Sequence, residues 1–223
     1  MRGLFVTGTD TGVGKTEVSC ALVAAARAAG VDMVAMKPAQ SGVTPGEPSD
    51  ADRLHAASGG VEPLEALCPY SFAAPLAPAV AARLEGRAVS LEAIVERARA
   101  LAARHDALLV EGAGGLLVPL TERETYADLA VALGLPVLVV ARAGLGTVNH
   151  TALTVEALRA RGLVLAGIVL NRACDLDDPS VPYNAGEIAR VTGCEPLASL
   201  PYARDIAERQ RFLRSRLAGK IQF

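Results

Sequence analysis

Residues 3–16 read GLFVTGTDTGVGKT: a short apolar run, then a glycine-rich turn that ends in Gly-Lys-Thr. The apolar run predicts a strand. The residues from Lys15 onward, KTEVSCALVAAARAAG, predict a helix that Gly30 can stop. A glycine-rich turn between a strand and a helix is the context a phosphate-binding loop requires. Gly12 and Gly14 let the backbone curl so that its N–H groups point at an anion. Lys15 is placed to neutralise β- and γ-phosphate oxygens, and the Thr16 hydroxyl to ligate Mg²⁺. The spacing is unusual. In the common motif a glycine stands five positions before Gly14, where this chain has Thr9; its nearest upstream glycines are Gly8 and Gly12.

The rest of the chain repeats the strand-helix alternation. Apolar runs at 31–37, 106–112, 135–142 and 163–172 predict strands, and EPLASLP a late one. The runs at 135–142 and 163–172 are continuously apolar, as for strands buried on both faces. Helical patterns fall over about 90–104, 125–133, 147–161, 183–193 and 204–218. This order predicts one α/β domain over 1–223. Its architecture is a three-layer, P-loop NTPase-like fold: a mostly parallel sheet with helices on both faces. Ligands then gather at the carboxyl ends of the strands.

Two strand ends carry chemistry. One is MKPAQSG, with Lys37, Gln40 and Ser41. The other is VEGAGG, with Glu111, Gly112, Ala113 and Gly114. A carboxylate directly after ALLV sits near the core and is hard to explain as structure; it can hold Mg²⁺ directly or through water. Asp50 or Asp52 can supply a further oxygen, although Asp50 also suits a helix N-cap within PSDADRL. Residues 38–80, rich in proline and glycine, interrupt the alternation. Beginning at Lys37, they read as a functional loop region beside the site, with a short helix in SDADRLHAA. GLGTVNHT starts another helix, where Thr147 or Asn149 is a candidate N-cap that leaves N–H groups for an anion.

Bulk properties exclude several classes. The chain has 223 residues, a net charge of −2 and no basic block, which argues against nucleic acid. No signal-peptide layout opens it, and no apolar stretch approaches the ~18 residues of a membrane helix. Cys20, Cys68, Cys174 and Cys194 lack CxxC spacing and read as free thiols in a reducing cytoplasm. His55 and His105 lie in polar helical stretches, and no Ser-His-Asp set or carboxylate pair stands out.

Seven segments in order, VTGTDTGVGKT, KPAQSG, SDA, PYSFAAPLAP, VEGAGGLLVPL, LGTVNHT and VLNR, resemble dethiobiotin synthetase over nearly the whole chain. The long loop Gly-Thr-Asp-Thr-x-Val-Gly-Lys-Thr is that family's own form, which accounts for the spacing. The resemblance implies ATP-dependent ring closure of 7,8-diaminopelargonate with CO₂ to give dethiobiotin. The path runs through a carbamate and a carbamic-phosphoric anhydride, with ATP and Mg²⁺ as cofactors. Gly12, Val13, Gly14, Lys15, Thr16 and Glu17 would hold the phosphates, and Gly112, Ala113 and Gly114 would lie beside the nucleotide. Thr16, Asp50 and Glu111 would hold Mg²⁺. Lys15 and Lys37 would be catalytic, stabilising the carbamate and the transferring phosphoryl group. Thr11 and Ser41 would lie by the diamine or carbamate. Asn171 and Arg172, with Leu200, Pro201 and Tyr202, would meet the adenine. The family is homodimeric, so Gly146, Thr147, Val148 and Asn149 would cap the substrate carboxylate of the neighbouring subunit. Departures are few: Gly12 stands where some relatives carry Glu, Ala39 where Val is common, and CDLDDPSVPYN matches poorly.

Two other ATP-using classes share such a loop. A MinD- or ParA-like switch carries an extra lysine early in the loop, where this chain has TDTG. A cobyrinate-type amidoligase needs a glutamine amidotransferase domain, for which the chain is too short.

Overall fold

The computed structural model describes residues 1–175, 177–202, 211, 212 and 215. Apart from those last three positions, the helix expected over 204–218 lies outside the described residues. The elements are β1 (Gly3–Gly8), α1 (Lys15–Ala28), β2 (Met33–Met36), β3 (Ala39–Gln40), α2 (Asp50–Ala57), α3 (Leu64–Leu67), β4 (Tyr70–Ser71) and α4 (Pro78–Leu84). They continue with α5 (Leu91–Ala102), β5 (Ala107–Gly115), α6 (Tyr126–Leu133), β6 (Val137–Arg142), α7 (Thr147–Arg159), β7 (Leu165–Asn171), α8 (Val181–Thr192) and β8 (Ala198–Leu200).

Six strands form one sheet in the order β2-β5-β1-β6-β7-β8, and every pairing is parallel. Strand side chains alternate between faces, so the sheet divides the core in two. Leu4, Val6, Met33, Ala35, Leu109, Leu138 and Val140 pack with Val18, Leu22 and Val23 of α1 and Leu54 of α2. Phe5, Val34, Met36, Leu108, Val110, Val137 and Val139 pack with Ile94 of α5, Leu129 of α6, Leu158 of α7 and Ile188 of α8. This is the three-layer α/β arrangement expected from the strand-helix alternation.

The 38–80 segment is ordered structure. Lys37 N donates to Leu67 O at 2.8 Å, continuing the line of β2. β3 and β4 make a separate two-stranded sheet, Ala39 pairing with Tyr70 and Gln40 with Ser71. The Gln40 side chain ties this piece to α2: its Oε1 accepts from Ala51 N at 3.1 Å, and its Nε2 donates to Ser49 Oγ at 3.1 Å. Ser49, not Asp50, is the α2 N-cap, in a capping box with Asp52. That leaves the Asp50 carboxylate for another partner.

Candidate active site

The loop between β1 and α1 depends on backbone only glycine adopts easily. Gly12 and Gly14 have φ of 73° and 91°. Gly14 is the α1 N-cap and supplies no side-chain cap, so the helix end presents its N–H groups without an internal carboxylate or hydroxyl upon them. Lys15 arches back over the loop, its Nζ donating to Asp10 O at 3.2 Å. A Cβ at Gly8 would stand 3.0 Å from that Nζ and 2.8 Å from Asp10 O, so the lysine needs the glycine. Burial, then the nearby Lys37 charge, draw the Lys15 pKa down to about 8. Asn171, at the end of β7, braces the loop: its Nδ2 donates to Val13 O at 2.7 Å.

Sheet order builds the second half. β5 lies between β2 and β1, with Met36 opposite Val110 and Val6 opposite Glu111. The residue after Met36 therefore reaches the residue after Val110. Lys37 Nζ lies 2.6 Å from Glu111 Oε1 and 3.0 Å from Asp50 Oδ2. Thr16 Oγ1 donates to the same Glu111 oxygen at 2.8 Å. Glu111 is fully buried, and its Oε2 has no hydrogen-bond partner among the described residues. Burial alone would lower the Lys37 pKa, but Glu111 and Asp50 raise it above the ordinary lysine value. Burial opposes ionisation of Asp50 too, and there Lys37 prevails, holding the carboxyl below its usual range. Lys37 is thus a charged ammonium, with an anionic Asp50.

Above this cluster opens a cleft of about 880 Å³. Thr11, Gly12, Gly14, Lys15, Thr16 and Glu17 floor it. Lys37, Ser41, Asp50, Ala113 and Gly114 also line it, and Val43, Pro75, Leu76 and Val118 add apolar lining. Gly114 has φ of 65°, and a Cβ there would come 2.9 Å from Val118 Cγ2. Gly112 packs on the Tyr126 ring, where a Cβ would stand at 3.3 Å.

The remaining predicted residues lie apart from the cleft lining. Asn171 pairs with Leu200 in the β7–β8 register, and Arg172 N donates to Leu200 O at 3.0 Å. The two segments expected to meet the adenine are therefore neighbours at one sheet end, with Leu200 buried, Pro201 exposed and Tyr202 half-buried. At α7 the expected cap is corrected. Gly146 (φ 89°) is the N-cap, Thr147 is the first helical residue, and neither Thr147 nor Asn149 caps. Thr147 is buried against Thr151; Gly146 and Asn149 are exposed and Val148 is half-buried. A glycine satisfies the left-handed turn that a threonine or asparagine cap would not need. Arg53 was not singled out from the sequence. It lines the cleft and pairs with Glu17, and its spacing of three from Asp50 on a helix was the available signal.

All four cysteines are free. No helix among the described residues is long and apolar enough to cross a membrane.

A family model described as an AAA domain matches residues 2–210. The ATP-dependent dethiobiotin synthetase BioD of Anaeromyxobacter sp. (strain Fw109-5) is 85% identical over 223 residues, covering 100% of both chains. The ATP-dependent dethiobiotin synthetase BioD of Caulobacter vibrioides is 46% identical over 182 residues, 80% of this chain and 83% of that one. Among solved structures, a ParA family ATPase from Chlorobium tepidum superposes with a TM-score of 0.57 at 15% identity, over 97% of this chain and 92% of that one. MinD of Aquifex aeolicus gives 0.58 at 11% identity, over 96% and 87%. Those last two share the fold alone. Full-length identity separates this chain from the ATPase switches, and it belongs to the ATP-dependent dethiobiotin synthetase family.

Proposed function

We propose that this chain, acting as one P-loop domain in a homodimer, closes the ureido ring of dethiobiotin in the cleft above Lys37 and Glu111. The observation that carries this reading is the Lys37 ammonium, buried beside the phosphate loop and fixed by two carboxylates. A bare ATPase has no need of a second buried cation there; a reaction through an anionic carbamate does.

One amine of 7,8-diaminopelargonate attacks CO₂ and loses a proton, giving a carbamate. A carbamate oxygen attacks the γ-phosphorus of ATP and ADP leaves. The second amine then attacks the anhydride carbon, the C–O bond to phosphate breaks, and the amine proton is lost. Inorganic phosphate leaves with the ring closed. The protein supplies position and charge. N–H groups from Gly12 to Glu17 cradle the phosphates. Lys15 sits on the transferring phosphoryl group, and Lys37 reaches the carbamate with Thr11 and Ser41 beside it. The backbone of Ala113 and Gly114 lines the cleft, with Gly112 behind them on the Tyr126 ring.

The residues fit a magnesium ion. Thr16 offers a hydroxyl, Asp50 a carboxylate and Glu111 an unpartnered buried oxygen, all hard donors. Among the described residues no cluster of three acidic, histidine or cysteine side chains exists. Mg²⁺ asks for fewer, taking one or two carboxylates plus phosphate and water. Bound there by Thr16, Asp50 and Glu111, it would supply charge neutralisation for the phosphates.

Asn171, Arg172 and Leu200 to Tyr202 take the adenine side. In the Gly146–Asn149 turn, Gly146 and Asn149 are exposed away from the cleft lining, which supports a role outside its own protomer's cleft, capping the carboxylate of substrate held by the partner. The free thiols suit the cytoplasm.

The test is phosphate release from ATP with diaminopelargonate and bicarbonate each omitted in turn. Release should require both, with dethiobiotin forming in equal amount. ATP hydrolysis indifferent to both would overturn the reading and favour a nucleotide switch.

A further inference from the structure

Glu17 stands in the first turn of α1, directly after Lys15 and Thr16, and its side chain lines the cleft. A carboxylate near a helix N-terminus is ordinarily favourable. Here the same helix end is the seat of the nucleotide phosphates, and a second anion beside them competes for the same field. The carboxylate is also poorly hydrated: its side chain is 15% exposed, and Oε2 has no hydrogen-bond partner among the described residues. Its other oxygen, Oε1, is ion-paired with Arg53 Nη2.

Arg53 reaches across from α2, one turn after Asp50. Its side chain is 33% exposed. Burial works against its charge, and the hydrogen bond it donates to Glu17 outweighs that. The pair therefore does two things. It cancels the Glu17 charge at the phosphate site, and it pins α2 to α1 so that Asp50 stays over Thr16.

We propose that Arg53 is a positioning and charge-compensating residue for the nucleotide: it acts through Glu17, making the start of α1 acceptable to a triphosphate. This rests on the phosphate-loop reading. Arg53 is not assigned to the phosphates, because the partner its guanidinium holds is Glu17.

The experiment is calorimetric titration of a non-hydrolysable ATP analogue with Mg²⁺ into wild type, Arg53→Met, Arg53→Lys and the double variant Arg53→Met/Glu17→Gln. Thermal unfolding checks that each is folded, and Arg53→Gln replaces Arg53→Met if that variant is not. Losing Arg53 alone uncovers the Glu17 charge, so binding should weaken about tenfold at low salt, and less at high salt. Arg53→Lys should recover most of this. Removing the Glu17 charge as well should return the dissociation constant to within about threefold of wild type. A double variant as weak as Arg53→Met means that Arg53 serves the nucleotide directly, and overturns the proposal. So does an Arg53→Met variant that binds like wild type. If wild type itself fails to bind, the phosphate-loop reading falls, and this proposal with it.

Discussion

Lys37 and Glu111 meet at the ends of two adjacent parallel strands, Nζ 2.6 Å from Oε1, with side chains 3% and 0% exposed. The register of β2 against β5 makes the pair, and Asp50 and Thr16 complete it from α2 and α1. One carboxylate thus faces both the lysine proposed for the carbamate and the Thr16 hydroxyl, so a change at Glu111 should alter stability and activity together.

Glu111→Gln should therefore do more than weaken metal dependence. The neutral amide leaves Lys37 with Asp50 alone. Breaking a buried ion pair by removing one partner costs about 3 kcal/mol. Thermal unfolding should show a lower midpoint, and the Mg²⁺ concentration for half-maximal turnover should rise. Superimposable Mg²⁺ titrations would make Glu111 purely structural.

Lys15→Ala should behave differently. Among the described residues its hydrogen bond is to a backbone carbonyl within its own loop, so no distant segment loses a polar partner. Turnover should fall by two to three orders of magnitude, roughly the loss seen for other charge-stabilising groups, with the unfolding midpoint nearly unchanged. A folded variant with near-normal turnover would remove Lys15 from the reaction.

Asn149→Pro tests the α7 turn with little collateral damage. Asn149 is the third residue of the helix, and the first ladder bond of α7 is His150 N to Gly146 O. Proline at 149 deletes one N–H that has no helical acceptor, leaving that bond in place. The Michaelis constant for diaminopelargonate should rise, while nucleotide affinity measured by calorimetry changes much less. Equal losses of both ligands would refute a substrate-reading turn.

Acid stability follows from the helix caps. Asp128 accepts from Thr125 N and Oγ1 at 2.7 Å each, and these bonds hold its carboxyl below the usual aspartate range. A depressed folded-state pKa adds stability above the unfolded value of about 3.9, and that stability is lost as pH falls through the folded value. Asp128→Ala should thus lower the unfolding midpoint near neutrality, and the gap should close as pH falls below the depressed folded-state value. A gap independent of pH would show that the carboxylate charge contributes nothing.

Much of this protein is local and therefore legible in its sequence. The glycines of the phosphate loop, Lys15 and Thr16 act within nine consecutive residues. The continuous apolar strands between helical patterns can be buried only in a parallel sheet covered on both faces. Glu111 stood out because a carboxylate at the end of a core strand needs a reason. Ordered residue types over the whole length resembled one enzyme family, and full-length identity bears that out.

What only the tertiary structure decided depends on register and on helix contacts between distant segments. Strand order set Lys37 against Glu111, 74 residues away. The choice between Asp50 and Asp52 turned on the N-cap: Ser49 and Asp52 close the capping box, so Asp50 is left for Lys37. Asn171 braces Val13 through a bond spanning 158 positions. Gly146 took the cap at α7 because the chain turns there with positive φ. The Arg53–Glu17 pair exists only because α2 packs on α1. Local chemistry follows backbone spacing, which a sequence states outright; pairing across elements follows from how the sheet and its helices are laid together, which it does not.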